Sequence, residues 1–327
     1  MKFILKRTLP LVIFLFLHSC KVRPCNDLKK PSTSTQIAGV QNIAPPTSIR
    51  PESAAETLIW KGKIATFRIR WTTQDLYVDS SAGTERLWRP FIERGFEDFK
   101  VVSLKTRSHR SQALENCTYE RHLTVLSVVS TLVSFEDEYA DYCGGAHPSE
   151  DVRFTTVDIS KPGSISYVHE GSTPLLKIDM ANNPSRTVKL TDYFSEHEIF
   201  DALLADKLIK ETLQTFEVRF VPNNLSQLLE ILAKHEYALG DSGLALSPDF
   251  LTRFAFHHLI GNRVSVRISL SSASSANQAE REQIGLLLLT PKALASPLRS
   301  SATRREGFLM KDENVISRGS ATVYSFP

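Results

Sequence analysis

The sequence predicts an α+β fold: an antiparallel sheet with two main helices packed on one face, preceded by a smaller β-rich module. Three observations carry this. Apolar and polar residues alternate through 58–78, 122–143, 152–159 and 262–270, the period of half-buried strands. Between these runs lies one strongly helical region, opening at Ser195 and followed by a second at Asn224. Turn residues, among them Gly144-Gly145 and Asp241-Ser242-Gly243, separate the strand runs.

The chain has 327 residues, enough for one large domain or two small ones. Its 42% hydrophobic and 23% charged residues are ordinary for a globular protein. A net charge of +3, with no basic stripe interleaved with aromatics, gives no reason to expect nucleic acid as a partner. Arg299, Arg304 and Arg305 read as a solvated tail.

Residues 1–19 read as a lipoprotein signal peptide. Lys2, Lys6 and Arg7 form a positive start, and "LPLVIFLFL" (9–17) is an apolar core of about nine residues, against the roughly 20 that a spanning helix needs. The segment ends in "LHSC", which resembles a bacterial lipobox: cleavage after Ser19, and a diacylglycerol with palmitate-type chains on Cys20. The expected location is therefore the cell envelope, lipid-anchored and facing the periplasm or the cell exterior, with the membrane reached through that N-terminal lipid. Residues 20–57, rich in Pro, Ser and Thr and without apolar period, read as a flexible tether.

The β-rich module is placed at 58–116, with a short helix at 88–99 and strand-like sequence at 99–108. The main α+β domain follows at 117–295. "HLTVLSVVSTLVSFEDEYADYC" is one bent strand or two paired ones, rich in β-branched residues. "SISYVHEG" and "PLLKIDM" read as a small hairpin insertion. Ser195 with Glu198 makes a capping box, and Ile199, Phe200, Leu203, Leu204, Leu208 and Ile209 give one apolar helix face. A second helix starts at Asn224 and carries Leu225, Leu228, Leu229 and Leu232. "IGLLLLTPKAL" (284–294) is a short buried strand or helix stopped by Pro291. Residues 296–327 show little period and are expected to be loose.

An exported chain makes cysteine pairing meaningful. With Cys20 lipidated, Cys25 lies in the tether, while Cys117 and Cys143 flank one stretch. A Cys117–Cys143 disulfide closes a loop of about 26 residues, which stabilises by about 3 kcal/mol on a chain-entropy estimate. The rival, a catalytic or metal-binding thiol, lacks CxxC or Cys/His ligand spacing.

"SVVSTLVSFEDEYADYCGGAHPSEDVRFTTVDI", "RTVKLTDYFSEHEIFDAL" and "YALGDSGLALSPDFLTRFAFHHLIGNRVSVRISL" together resemble the RsiV-like family of bacterial extracytoplasmic domains. That family includes the sensor part of a lysozyme-sensing anti-sigma factor and an accessory domain beside polysaccharide deacetylases such as PdaC. The likeness spans about residues 120–275. It implies an envelope-facing scaffold of non-catalytic, sensor type whose partner is lysozyme or a cell-wall component such as peptidoglycan. The chain carries no polysaccharide-deacetylase motif.

"YADYCGGAHPSE" (139–150) is the natural place to look for chemistry. Gly144 and Gly145 suit a reversal or bulge, Pro148 stiffens its exit, and His147 ties the turn to a carbonyl or carboxylate. This reads as a structural turn, with Tyr142, Gly144, Gly145 and His147 as its possible ligand contacts. The alternative is a cell-wall glycan hydrolase or deacetylase using His147 with a nearby carboxylate, Glu150, Asp151 or Asp158. Elsewhere, alternation puts His257 and His258 on opposite strand faces, unable to share an ion. Glu136, Asp137 and Glu138 read as a solvated acidic edge. No nucleotide loop, zinc motif or nucleophile elbow is present, so no catalytic residue, metal or cofactor is expected.

Overall fold

The protein is described by a computed structural model covering residues 55–106, 117–142, 149–165, 185–215, 221–234, 244–245, 250–269, 271–272, 283–312 and 316. It is an α+β fold of antiparallel sheets. β1 (Leu58–Ile64), β2 (Phe67–Thr72), β3 (Leu76–Ser80) and β4 (Gly83–Arg86) form a meander in sequence order. α1 (Trp88–Thr106) follows. Its start is fixed by Asp75, whose buried carboxylate accepts hydrogen bonds from the Trp88 backbone N–H (3.0 Å) and Arg86 Nε (2.8 Å).

The helix does not stop at 99, and residues 99–106 are not strand. Ile92, Phe96 and Phe99 continue a helical stripe, and the rings of Phe96 and Phe99 lie 5.8 and 5.3 Å from that of Tyr119. That tertiary packing outweighs the strand preference of Val101 and Val102.

The longest strands come next: β5 (Thr118–Val129), β6 (Leu132–Tyr142) and β7 (Ser149–Asp158). The described part of that run, 122–142, is thus two paired strands, reversed at Ser130, whose φ is 52°. One face of this sheet packs under α1 and the first meander. Trp71, Trp88, Phe91, Leu123, Val125 and Phe135 share a single buried cluster, with Trp88 edge-on to Trp71. The β-rich module and the strands after residue 117 therefore have a common core.

The expected long helix after Ser195 is two. α2 (Glu196–Ala205) is capped by Ser195 Oγ, which accepts from the Glu198 N–H. Asp206 then leaves helical geometry (ψ 138°), and its Oδ1 accepts from the N–H groups of Leu208 and Ile209 to begin α3 (Lys207–Thr215). α4 (Leu225–Lys234) starts as the sequence predicts, Asn224 Oδ1 accepting from the Gln227 N–H. Among the described residues three short helices, rather than two main ones, thus lie in the helical layer.

These helices cover the inner face of a second sheet, ordered β12-β10-β9, made of β9 (Phe254–Ile260), β10 (Arg263–Ser269) and β12 (Gln283–Leu289). Val264, Val266, Ile268, Ile284, Leu286 and Leu288 pack there with Ile199, Leu203, Ile209 and Leu228. The short strands β8 (Leu244–Ala245) and β11 (Ser271–Ser272) pair with each other. At one end of β9 the outer face meets the long-stranded sheet, through Ala255 against Leu126 and Phe154 and a 2.8 Å bond from the Phe154 N–H to Ser269 Oγ.

Much of the C-terminal stretch expected to be loose is built in. The strand there ends at Leu289, before Pro291, and Pro291 is then the N-cap residue of α5 (Lys292–Ala302). β13 (Gly307–Phe308) then pairs with Val128 and Val129 of β5, giving the order β13-β5-β6-β7. Leu298, Phe308 and Leu309 are buried. Arg304 is not merely solvated, since its guanidinium bonds the Asp312 carboxylate. The apolar positions are too sparse to show a period, yet each fills a defined slot. The proposed hairpin insertion, apart from Ser164 and Ile165, lies outside the described residues, as do the Asp241-Ser242-Gly243 turn, the signal segment and nearly all of the tether.

Candidate binding surfaces

The sequence singled out one end of the long-stranded sheet. Cys20, Cys143, Gly144, Gly145 and His147 lie outside the described residues. Cys117 and Tyr142 lie inside them. Cys117 is buried beside the start of β5 and is disulfide-bonded; the other three cysteines, Cys20, Cys25 and Cys143, all fall outside. Tyr142 ends β6 opposite Thr118 and is 38% exposed. β6 and β7 remain paired up to Asp141 and Ser149, so a short connection between two registered strands follows Tyr142.

What stiffens this end is a group the sequence reading misplaced. Asp137 is fully buried, not part of a solvated edge. Its two oxygens accept from Arg121 Nε (2.6 Å) and Nη2 (2.7 Å), a bidentate pair. Arg121 Nη1 also donates to Tyr119 Oη at 3.2 Å. The guanidinium lies 3.9 Å from the Phe91 ring centroid and against Gly95, where a Cβ would sit 2.3 Å from Nη1. Glycine on α1 thus makes room for the charge. The signal was available: alternation puts Arg121 on the same face as buried Tyr119, Leu123 and Val125.

A second surface contradicts a sequence expectation. His257 and His258 do not point to opposite sides. β9 carries a bulge there, since Ser265 pairs with His258 while Val266 pairs with Phe256, leaving His257 as the extra residue. The two imidazoles meet with Nδ1 atoms 2.6 Å apart. Such a contact needs one ring to donate and the other to accept. Burial, then Arg267, His258 and Lys311, push the His257 pKa down to about 4; burial, Lys311 and Arg267 lower that of His258. Both rings are uncharged at neutral pH.

This has a pH consequence. Between pH 6.5 and about 4 the unfolded chain holds a proton on residue 257 that the folded protein does not. Stability from this group is complete above pH 6.5 and is lost as the pH falls towards 4. With allowance for solvent screening the loss is roughly 1–2 kcal/mol. Urea midpoints of the wild type and His257→Gln, compared at pH 7.5 and 4.5, check it: the substitution should remove that part of the acid sensitivity. Equal sensitivity in both proteins would count against it.

Sheets with a shared core, a helical layer and open strand surfaces define an antiparallel α+β scaffold. No family model, curated protein or solved structure matches the chain. Among the described residues no helix is long and apolar enough to cross a membrane, and no three His, Cys, Asp or Glu side chains cluster as a metal site.

Proposed function

We propose that the chain is a non-catalytic recognition module of an exported lipoprotein, anchored at the cell envelope through Cys20 and engaging lysozyme or a cell-wall component. The observation that carries this reading is the end of the β5–β7 sheet. Long registered strands, stiffened by the buried Arg121–Asp137 pair, present the exposed Tyr142 beside the β6–β7 connection. A rigid scaffold that holds out an aromatic side chain and a short loop is the usual construction of a recognition site. The lipobox-like "LHSC" and the RsiV-like sequence from about 120 to 275 supply the envelope setting. Thr118 pairs with Tyr142, and Cys143, the next residue in sequence, is the proposed disulfide partner of Cys117.

The test is binding of the full-length protein, with metal chelated, to immobilised lysozyme and to peptidoglycan. Saturable binding without turnover is expected, weakened at least tenfold by Tyr142→Ala at unchanged thermal stability. Binding to neither, or binding indifferent to Tyr142, would overturn the reading. A peptide map of the same preparation without reductant should contain a Cys117–Cys143 cross-link.

A further inference from the structure

Among the described residues the outer face of the β12-β10-β9 sheet is covered at its Ala255–Ser269 end. At the other end two cross-strand rows carry exposed aliphatic side chains, although Ser265 in one row is buried. One runs Leu287, Ser265, His258; the next runs Leu289, Arg263, Ile260. Ile260, Leu289 and Leu287 are 53%, 49% and 39% exposed, and they make up half of the six large exposed apolar side chains among the described residues. Single exposed leucines mean little, whereas three in adjacent rows form a patch.

Three cations stand around the patch. Arg263 stands within a row and donates to the Leu287 carbonyl oxygen. Arg267, the outer residue beyond Ser265 on β10, pairs with Ala255 at the covered end and reaches over Gly285. Lys311 is held beside the bulge because its N–H bonds the His257 carbonyl oxygen. Neither row contains an acid. Glu198 on α2 accepts from the Leu289 N–H at the edge of the sheet, and Asp312, next to Lys311, is paired with Arg304.

We propose that this patch seats on an anionic lipid bilayer, with Ile260, Leu287 and Leu289 entering the boundary between headgroups and acyl chains while Arg263, Arg267 and Lys311 meet lipid phosphates. Charge complementarity requires an anionic partner. Aliphatic side chains that project between long cationic ones suit an interface whose apolar layer lies just beneath its charged layer. The contact is distinct from the Tyr142 end and does not depend on the ligand proposed there. It would act as a second, non-covalent hold beside a lipid chain, because stable membrane attachment generally takes two signals.

The experiment places a reporter in the patch itself, so that attachment through the N-terminal segment is not mistaken for it. Full-length Ile260→Trp is mixed with vesicles of brominated phosphatidylglycerol and phosphatidylcholine, or of brominated phosphatidylcholine alone. Quenching of the added indole in the anionic vesicles and not in the neutral ones is expected. Arg263→Gln with Lys311→Gln should weaken patch binding about 25-fold, taking roughly fivefold per cation near an anionic surface, with an unchanged unfolding transition. An added Trp that stays unquenched while the protein sediments with vesicles would overturn the proposal, as would equal quenching in both lipids. So would a concentration-dependent dimer in solution that Leu287→Asp abolishes, which would assign the patch to a second copy of the chain.

Discussion

Replacing Asp137 with alanine should destabilise the fold by about 3–5 kcal/mol, because Arg121 would keep its charge in a site only 5% exposed with its carboxylate gone. The guanidinium cannot escape this by losing its proton, since arginine stays charged in proteins. Nor can it turn to solvent without leaving Phe91 and the α1 surface at Gly95. Urea unfolding gives the number. The informative companion is the double variant Arg121→Met with Asp137→Leu, which removes both charges while keeping similar volume. Its cost should be far smaller, because a buried pair replaced by apolar groups forfeits little. If the double variant is as unstable as the single one, packing rather than an orphaned charge dominates at this site.

Gly307→Ala should cost about 2–4 kcal/mol, from an unfavourable φ together with a backbone clash. The φ there is 126°, and an added Cβ would lie 2.1 Å from the Val128 carbonyl oxygen and 2.9 Å from Ser301 Oγ. That carbonyl already accepts from Ser301 Oγ at 2.7 Å, so the methyl group would push β13 off β5 and disturb the junction with α5. Gly83 supplies the control. It has a similar φ of 123° with nothing within 4 Å, so Gly83→Ala measures the torsional cost alone. The difference between the two unfolding free energies is the contact with β5. Two equal losses would mean that β13 gives way without cost.

How much of this was legible in the sequence depended on whether local pattern and tertiary packing agreed. The long strands and the caps at Ser195 and Asn224 were legible because alternation and side-chain capping are local. The extension of α1 was not, because Val101 and Val102 argue for strand and only the distant Tyr119 ring decides otherwise. The break at Asp206 could have been read, since an aspartate two residues before Leu208 is a standard helix cap. Asp137 was hidden by its neighbours: three acids in a row look solvated until alternation is followed and the middle one is matched to Arg121. The bulge at His257 has no local signature, so the meeting of the two imidazoles was invisible. Around the candidate recognition end, sequence marked Tyr142 and Cys117 directly, and the ion pair beneath them only through the alternation that buries Arg121.

The pairing of β13 with β5 also sets an order of assembly. Until residues 307 and 308 arrive, Val128 and Val129 lie on an unprotected edge strand, and Ser301 has not reached the Val128 carbonyl. Residues far downstream in the chain therefore cover the Val128–Val129 part of the sheet edge. A nascent or truncated protein lacking the last twenty or so residues would present that β5 edge to other chains. Arrival of this short strand, more than any early nucleus, is what covers the Val128–Val129 stretch of the sheet edge.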